Sequence, residues 1–412
     1  MKDFTKLAQK ITWILFANQS LASAAFIAAS TINSILGAKL GGSAAYAGVP
    51  SGVYLLGGAF AASAWGYLME KMGRRNSMVL GLVIGALGSA LVLYAISVSS
   101  FVLFLISMVL MGIANAAVAL GRFAAAEVNL PEKRGAAISN VVLGGTFGAI
   151  FGPLLVGPLG GVARSIGMDE LAGAYIITLV LFVIAAIVVF VGLRPDPRDL
   201  GREIAAQFPE ETPHGATRSI GQILRQPAAM MAVTAMVLGQ VVMVAIMVIT
   251  SLHMRDHMHN LHDISEVISS HTLGMYAFSV LSGRLSDKWG RGRVILTGSV
   301  TLLLACIAAP LSPDVLPLAV ALFLLGLGWN FCFVGGSALL ADQLSPAERA
   351  KTQGTNDLLV GLASASGSLG SGFLFAASNY TMITIVSGVL SLVPLTMALL
   401  WMRKTKITAV TA

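Results

Sequence analysis

Long apolar runs, separated by short charged or turn segments, dominate the 412 residues of this chain. A helix needs about 20 apolar residues to cross the hydrocarbon core of a bilayer. The runs here reach that length, and they lack the alternation of polar and apolar residues that is typical of membrane β-barrel strands. The pattern therefore predicts an all-α integral membrane protein.

Twelve spans are predicted, six on each side of one long polar segment. The first six lie at about 11–37, 45–69, 77–98, 101–126, 136–162 and 171–193. The second six lie at about 228–252, 264–285, 293–311, 315–341, 352–376 and 381–402. We therefore expect an amino-terminal six-helix bundle over 1–193, a cytoplasmic linker over 194–226 and a carboxy-terminal six-helix bundle over 227–412.

Composition narrows the class of protein. Charged residues make up 11% of the chain and hydrophobic residues 56%, whereas soluble domains carry about 25% charged residues. This excludes an ordinary soluble enzyme. The two cysteines, Cys306 and Cys332, form neither a disulfide framework nor a thiol-metal motif. The first apolar run is too long for a cleavable signal peptide, so we expect that span to be retained.

Lysine and arginine positions predict the orientation. If the amino terminus is cytoplasmic, 22 of the 26 basic residues fall in inside loops and tails. Only Lys39, Arg164 and Arg255 fall in outside loops. Basic residues concentrate on the cytoplasmic side of membrane proteins. Both termini are therefore predicted to be cytoplasmic, and the net charge of +7 reflects topology rather than nucleic-acid binding.

Two loop motifs occur twice. The pattern Gly-x3-acid-Lys-x-Gly-Arg begins at Gly66 and again at Gly283, an offset of 217 residues. The pattern acid-x3-Pro-x2-Arg begins at Glu127 and again at Asp342, an offset of 215 residues. Two motifs repeated at nearly one offset, in corresponding loops, indicate that the chain consists of two six-span halves of one design.

With these motifs the whole chain resembles the major facilitator superfamily. The resemblance implies twelve transmembrane helices in two pseudo-symmetric six-helix bundles around a central substrate cavity, and transport by alternating access. It also implies a monomer in a bacterial-type inner membrane, without a cofactor. The fifth span resembles that of the drug or metabolite:proton antiporter branch at four positions, namely Gly148, Gly152, Pro153 and Gly157.

The repeated charges suggest a cytoplasmic gate. The glycines allow tight turns or close approach of a helix, and arginine suits a carboxylate partner. We hypothesise that these charge pairs hold the outward-open state and break on inward opening; the alternative is that they only fix loop topology. The gate residues of the first half are Gly66, Glu70, Lys71, Gly73, Arg74, Glu127 and Arg134. Those of the second half are Gly283, Asp287, Lys288, Gly290, Arg291, Asp342 and Arg349.

Few polar groups remain at membrane depth to bind a substrate or a proton. Proton-coupled exporters of this family usually carry a carboxylate in span one and an arginine in span four. Span one of this chain has no carboxylate, and Met108 stands at the position of the arginine in span four. Tryptophan and amides suit a flat, partly polar organic molecule, although any one of them could instead be a hydrogen bond between helices. The candidates for contact with substrate or proton are Asn18, Gln19, Asn33, Asn115, Gln240, His271, Trp329, Asn330 and Asp357.

Five of the six histidines fall within nineteen residues. Four of them, His253, His257, His259 and His262, lie in the outside loop between spans seven and eight. Imidazole binds borderline metals and also titrates near pH 6. A metal site, a pH-sensitive outer mouth and a merely polar loop all stay open at this point. His271 lies deeper, in span eight.

The sequence favours a secondary transporter of a small organic solute, with outward, proton-coupled movement as the first hypothesis. Uptake or facilitated diffusion of a metabolite is the alternative, as is divalent-metal transport through the histidine loop. An intramembrane enzyme would need a buried nucleophile or metal constellation, and none is found. The chain also has no phosphate-binding loop of the Walker type, so neither catalysis nor ATP-driven pumping is expected.

Overall fold

The computed structural model describes residues 4–130, 133–207 and 218–410, and every regular element in these ranges is helical. The first helices are α1 Phe4–Gly41, α2 Val49–Met72, α3 Arg74–Ser97, α4 Phe101–Ala119, α5 Gly121–Glu127, α6 Arg134–Leu154, α7 Val156–Ser165, α8 Ala172–Gly192 and α9 Pro197–Gln207. A short 3-10 helix, Ala44–Tyr46, precedes α2. The later helices are α10 Ile220–Leu224, α11 Pro227–Asp256, α12 Leu261–Tyr276, α13 Ser279–Trp289, α14 Arg291–Ala308, α15 Val315–Asp342, α16 Pro346–Ala377 and α17 Tyr380–Val410.

The chain packs as two compact units. Unit one consists of Met1–Gly42, Val49–Glu211 and Asn260–Ser265. Unit two consists of Ser43–Gly48, Thr212–His259 and Glu266–Ala412. The segment predicted as a linker contains two helices, α9 and α10. Helix α9 belongs to unit one and α10 to unit two.

Ten helices in the described ranges are long and apolar enough to cross a membrane. A bent pair, Ala44–Ala62 and Ala64–Met72, makes an eleventh if it forms one span. The count differs from the predicted twelve because the eighth predicted span, 264–285, is not one helix. It is divided into α12, of 16 residues, and α13, of 11 residues.

Asn330 of α15 occupies the break between α12 and α13. Its Nδ2 donates to the Met275 carbonyl at 2.6 Å and to Ser279 Oγ at 2.9 Å, and Ser282 Oγ donates to its Oδ1. An unsatisfied backbone carbonyl is costly in an apolar environment. Asn330 therefore stabilises the break, and its buried amide makes a hydrogen bond between helices, the alternative that the sequence analysis left open for each amide.

Glycines of α6 let it pack directly on the backbone of α1. A Cβ on Gly144 would lie 2.5 Å from the Phe16 carbonyl oxygen, one on Gly148 2.0 Å from that of Ser20, and one on Gly152 2.6 Å from that of Ala24. The contacts advance by four residues on both helices, so α1 and α6 run in the same direction. Small residues at this spacing allow close approach of helices in a membrane.

The predicted fifth span is broken after Pro153. Helix α6 ends at Leu154 and α7 begins at Val156. Proline cannot donate a backbone hydrogen bond and disturbs the preceding helical turn. Beyond the break, a Cβ on Gly157 would lie 3.0 Å from the Cα of His262, which belongs to the same unit. All four residues of the span-five motif therefore lie at helix contacts or at a helix break.

Gly148→Ala is expected to lower the free energy of unfolding by about 1–3 kcal/mol, because its Cβ overlaps the α1 backbone, which cannot move aside as a flexible side chain can. Gly161→Ala is the matched control: it lies nearby in α7 and has nothing within 4 Å of its Cβ position. Its effect is expected to stay within about 0.5 kcal/mol. Unfolding of the purified protein by sodium dodecyl sulfate measures both, and equal effects of the two variants would contradict the packing argument.

Candidate functional site

The first copy of the loop motif forms a group of charges where α3 begins. Arg74 Nε donates to Glu127 Oε2 at 2.9 Å, and Arg74 Nη2 donates to Glu127 Oε1 at 2.5 Å. Glu70 lies 3.9 Å from the same guanidinium. Because a forked guanidinium matches both oxygens of a carboxylate, the pair joins the start of α3 to the end of α5.

The second copy of the motif forms a looser group. Arg291 Nη1 lies 2.5 Å from Asp287 Oδ1, and Arg291 Nε donates to Asp342 Oδ2 at 3.1 Å. These contacts are single rather than bidentate, and the side chain of Asp287 is 72% exposed. Exposed ion pairs contribute little stability. The two copies are thus alike in sequence but unequal in structure.

The motif glycines divide into two kinds. Gly73 and Gly290 have φ of +89° and +91°, a region that favours glycine, so both permit the turn for which they were singled out. The expectation of close helix approach at Gly66 and Gly283 is wrong for this structure. No described atom lies within 4 Å of the Cβ position of either residue, so neither glycine is needed to make room for a neighbouring helix.

The remaining gate residues take less part in these groups. Lys71 and Lys288 are exposed. Arg134 Nε lies 3.4 Å from the Asn129 carbonyl oxygen, a contact at the limit of hydrogen bonding. The side chain of Arg349 lies outside the described residues, so its predicted role stays a prediction.

Sequence reasoning missed the contribution of Asp196. Its carboxylate accepts the backbone N–H groups of Arg74 and Arg75, both at 3.0 Å. The first turn of a helix leaves N–H groups without internal partners, and a carboxylate there also interacts favourably with the helix dipole. Asp196 therefore caps α3 from a distant segment. The local signal was an acid between two prolines, Pro195 and Pro197, which marks the start of a helix.

The helix that follows Asp196 binds the other side of the same loop. Arg198 Nη1 donates to the carbonyl oxygens of Glu70 at 2.9 Å and Lys71 at 3.2 Å, near the end of α2. Arg202 Nη2 lies 2.5 Å from Glu70 Oε1. Together these contacts enclose a cavity of about 420 Å³ whose walls include Arg74, Glu127 and Arg134. Helix α9 is therefore part of the first charge group.

Unit two has a corresponding contact outside the motif. Arg218 donates to both oxygens of Glu348, from its backbone N–H and Nε at 2.8 Å and from Nη2 at 2.7 Å. Glu348 also completes a capping box with Ser345 at the start of α16. The hydrogen bonds from the Arg218 side chain, with those from the Arg218 and Ser345 backbone, hold the pKa of the Glu348 carboxyl well below its usual range.

The polar residues predicted in α1 have mostly structural partners. Asn33 Oδ1 accepts a buried hydrogen bond from Tyr175 OH at 2.5 Å. Gln19 Nε2 lies 3.4 Å from Ser23 Oγ of its own helix. Asn18 is buried, and its Oδ1 has no hydrogen-bond partner among the described residues. Of these three, Asn18 keeps the most capacity for a further contact.

Two other candidates lie on α4 and α16. Asn115 is half-buried in α4. Asp357 is exposed on α16, within a helix that is long and apolar enough to cross a membrane, and its role stays a prediction.

The structure does bring Gln240 and Trp329 together. Trp329 Nε1 donates to Gln240 Oε1 at 2.6 Å, and Gln240 Nε2 donates to Ser364 Oγ at 2.7 Å. The Trp329 ring stacks on Phe333 with centroids 5.0 Å apart, and Tyr276 lies edge-on with centroids 6.3 Å apart. We call Tyr276, Trp329 and Phe333 the aromatic platform; all three are half-buried.

His271 is fully buried where α12 meets α15. Its Nδ1 lies 2.9 Å from the Leu322 carbonyl oxygen, which makes this nitrogen the donor. Its Nε2 is buried and has no hydrogen-bond partner among the described residues. His271 therefore lies in a helix contact in this structure, with one ring nitrogen left available.

The loop histidines do not assemble into a metal site. His253 stacks on Tyr380 with centroids 4.1 Å apart, and His257 Nδ1 lies 2.8 Å from the His253 carbonyl oxygen. In the part of the chain that the structure describes, no group of three or more His, Cys, Asp or Glu residues could hold a metal ion. The His253 and His257 rings lie edge-on with centroids 4.3 Å apart, so two of the four predicted ligands, His253, His257, His259 and His262, are neighbours, and a site that uses all four stays a prediction.

Comparison with protein families identifies the family to which the chain belongs. The model of the Major Facilitator Superfamily matches residues 14–259 and again 232–411. The chain belongs to this superfamily. The two matches cover the two sequence halves in which the loop motifs are repeated.

Relatives in this superfamily match the chain almost end to end. An uncharacterized MFS-type transporter of Bacillus subtilis, YdeG, is 36% identical over 96% of this chain and 93% of its own length. The riboflavin transporter RfnT of Brucella anthropi is 30% identical over 97% of this chain and 98% of its own length. The protein is thus a multi-pass membrane transporter of the superfamily, and its relatives are transporters rather than enzymes.

Solved structures show the same fold at low identity. The nucleoside transporter NupG superposes with a TM-score of 0.71 at 16% identity, covering 96% of this chain and 99% of its own. A peptide transporter in complex with sulfate superposes with a TM-score of 0.68 at 14% identity, covering 98% of each chain. This MFS chain therefore has the all-α membrane fold of the superfamily.

The two motif glycines are expected to respond differently to alanine. A Cβ on Gly73 would lie 2.4 Å from Asp196 Oδ2, whereas Gly290 has nothing within 4 Å. Gly290→Ala should cost about 1–2 kcal/mol from the positive φ alone, and Gly73→Ala should cost at least about 1 kcal/mol more from overpacking. Unfolding by sodium dodecyl sulfate measures both.

A double-mutant cycle with Asp196→Ala isolates the overlap with the carboxylate. The effects of Gly73→Ala and Asp196→Ala should be non-additive, because removing the carboxylate removes the overlap. Gly290→Ala is the matched control and should add to Asp196→Ala. Additivity in both cycles would show that Asp196 does not contact the turn.

Proposed function

We propose that this transporter carries a flat aromatic solute with polar groups at its edge, and that the aromatic platform binds it. The observation that carries the proposal is the hydrogen bond from the edge of the Trp329 indole to Gln240, combined with the stacking of Trp329 on Phe333. This bond orients the indole, and an oriented aromatic face is a suitable surface on which a second planar ring can stack.

The chemistry of the platform favours a neutral ligand. None of the five residues Gln240, Tyr276, Trp329, Phe333 and Ser364 carries a formal charge. A site that combines aromatic faces with a few placed polar groups is typical of small-molecule binding. The relative named as a riboflavin transporter supports this choice, since riboflavin combines a planar aromatic ring system with polar edge groups.

Trp329→Ala is expected to lower riboflavin transport in proteoliposomes by about tenfold, because stacking and the oriented amide together contribute on the order of 1–2 kcal/mol. Trp329→Phe should keep part of the activity, because it keeps a stacking ring. The measurement is the initial rate of riboflavin movement at several concentrations. Phe373→Ala is the matched control, an exposed aromatic residue of the same unit. Equal rates in all variants would contradict the assignment.

We further propose that the substrate leaves the cytoplasm in exchange for protons, through a monomer in the bacterial inner membrane with both termini cytoplasmic. The packing of the span-five motif on α1 supports this direction, since it matches the exporter-like pattern of Gly148, Gly152 and Pro153. In this proposal the charge groups of Arg74 and Arg291 act as the cytoplasmic gate. Uptake or facilitated diffusion is the alternative.

His271 is the residue that we propose carries the coupling proton. It is buried, and its Nε2 has no partner among the described residues, so a proton could bind there when α12 and α15 separate. An imidazolium enclosed in an apolar helix contact would be costly. Protonation is therefore coupled to a rearrangement of these helices.

His271→Gln is expected to abolish the dependence of transport on an imposed pH gradient while leaving exchange of substrate for substrate in place. Glutamine keeps polar side-chain atoms near Leu322 but does not titrate. The measurement is riboflavin flux in proteoliposomes with the interior acidic, neutral or alkaline. If the wild-type flux does not change with the pH gradient, the coupling proposal is wrong. If the variant shows the same dependence on the gradient as the wild type, another residue carries the proton.

A further inference from the structure

Unit one contains a cavity of about 440 Å³ between the amino-terminal parts of α1 and α6. We propose that this cavity binds an aromatic anion: a planar ring that bears a carboxylate or a phosphate. It would be a second site, in a different unit from the aromatic platform and with a different chemistry. By the predicted orientation, it opens on the cytoplasmic side.

The cavity arises where the glycine contacts between α1 and α6 end. Gly144 is the last glycine of the series toward the start of α6, and its Cβ position lies 2.5 Å from the Phe16 carbonyl oxygen. One turn earlier, α6 carries Asn140 and α1 carries Thr12 and Trp13. These side chains are too large for the same backbone contact, so the helices separate and leave a space between them.

Aromatic and apolar side chains form one wall of this space. Trp13 is 67% exposed, although it packs edge-on against Phe16 with centroids 5.3 Å apart. The ring centroids of Phe16 and Phe147 lie 6.0 Å apart. Leu143 also lines the cavity. One face of the indole therefore remains open, and a planar ligand could stack on it.

The opposite end of the cavity is lined by one cationic side chain and several neutral amides. Lys133 carries the one formal charge among the described residues that line the cavity. Asn129 Nδ2 donates to the Ala125 carbonyl at 2.7 Å and to Thr12 Oγ1 at 3.2 Å, which fixes Asn129 against α1. The amides of Gln9 and Asn140 are exposed. An ammonium with amide donors is suited to a carboxylate or a phosphate.

The size and shape also fit a small ligand. Binding sites for small molecules typically occupy about 300–1,000 Å³ and combine apolar walls with a few polar groups. The competing explanation is that Trp13 is an interfacial anchor, because tryptophan is enriched at the membrane–water boundary. That explanation predicts no ligand and no dependence of binding on Lys133.

Calorimetric titration of the full chain in phosphatidylcholine nanodiscs tests the site. The neutral lipid ensures that no anionic headgroup competes. The probes are flavin mononucleotide and riboflavin, which share a ring and differ in one phosphate, and indole-3-acetate as a smaller aromatic anion. Lys133→Ala should weaken binding of the anions by about tenfold, as loss of a charge-assisted contact does. Lys133→Arg should keep the affinity, and Trp13→Ala should weaken it about fivefold.

Lys351→Ala is the matched control, an exposed lysine of unit two, and should leave anion binding unchanged. If neither anion binds, or if Lys133→Ala and Lys351→Ala have equal effects, the inference is wrong. Added phosphatidylglycerol that displaces the anions through Lys133 would assign the site to a lipid headgroup and overturn it as well. The proposed function is tested separately, because riboflavin transport is expected to depend on Trp329 and not on Lys133.

Discussion

The cost of placing an unpaired polar group in hydrocarbon governs this molecule more than any other interaction. A backbone amide or carbonyl without a partner costs several kcal/mol in a bilayer, so the spans must be helical. The same cost confines most charged side chains to helix ends and loops. The exceptions in the fold are therefore informative, because each break in a span needs a compensating partner, as Asn330 shows at the carbonyl of Met275.

Charges at the helix ends act together with backbone groups rather than as isolated ion pairs. Asp196 accepts two N–H groups at the start of α3, and Arg198 donates to carbonyls near the end of α2. Glu348 has the same role at the start of α16, with Arg218 as its partner. Terminal backbone groups are the unsatisfied part of any helix. A segment that binds two helix ends at once fixes the loop between them.

Depletion of charge inside the spans also determines what kind of chemistry a site can offer. Two of the amides named as candidates for a substrate contact join helices, as Asn33 does with Tyr175 and Asn330 with Ser282. What remains is an oriented indole with its amide partner in unit two, and an open indole beside an ammonium in unit one. Aromatic faces can recognise a planar solute without placing a buried charge, which suits a transporter whose ligand must enter and leave.

The sequence by itself determined the helical membrane class, the two related halves and the family, because apolar run length and repeated motifs are local properties of the chain. It also identified Arg74, Glu127 and the span-five glycines, whose contacts follow from residue type and spacing. It did not reveal Asp196 as a cap of α3, the break in the eighth span, the burial of His271 or the stacking of His253 on Tyr380. Each of these depends on which distant residue meets a helix end or face. Only tertiary packing decides that, since the same local pattern is compatible with several partners.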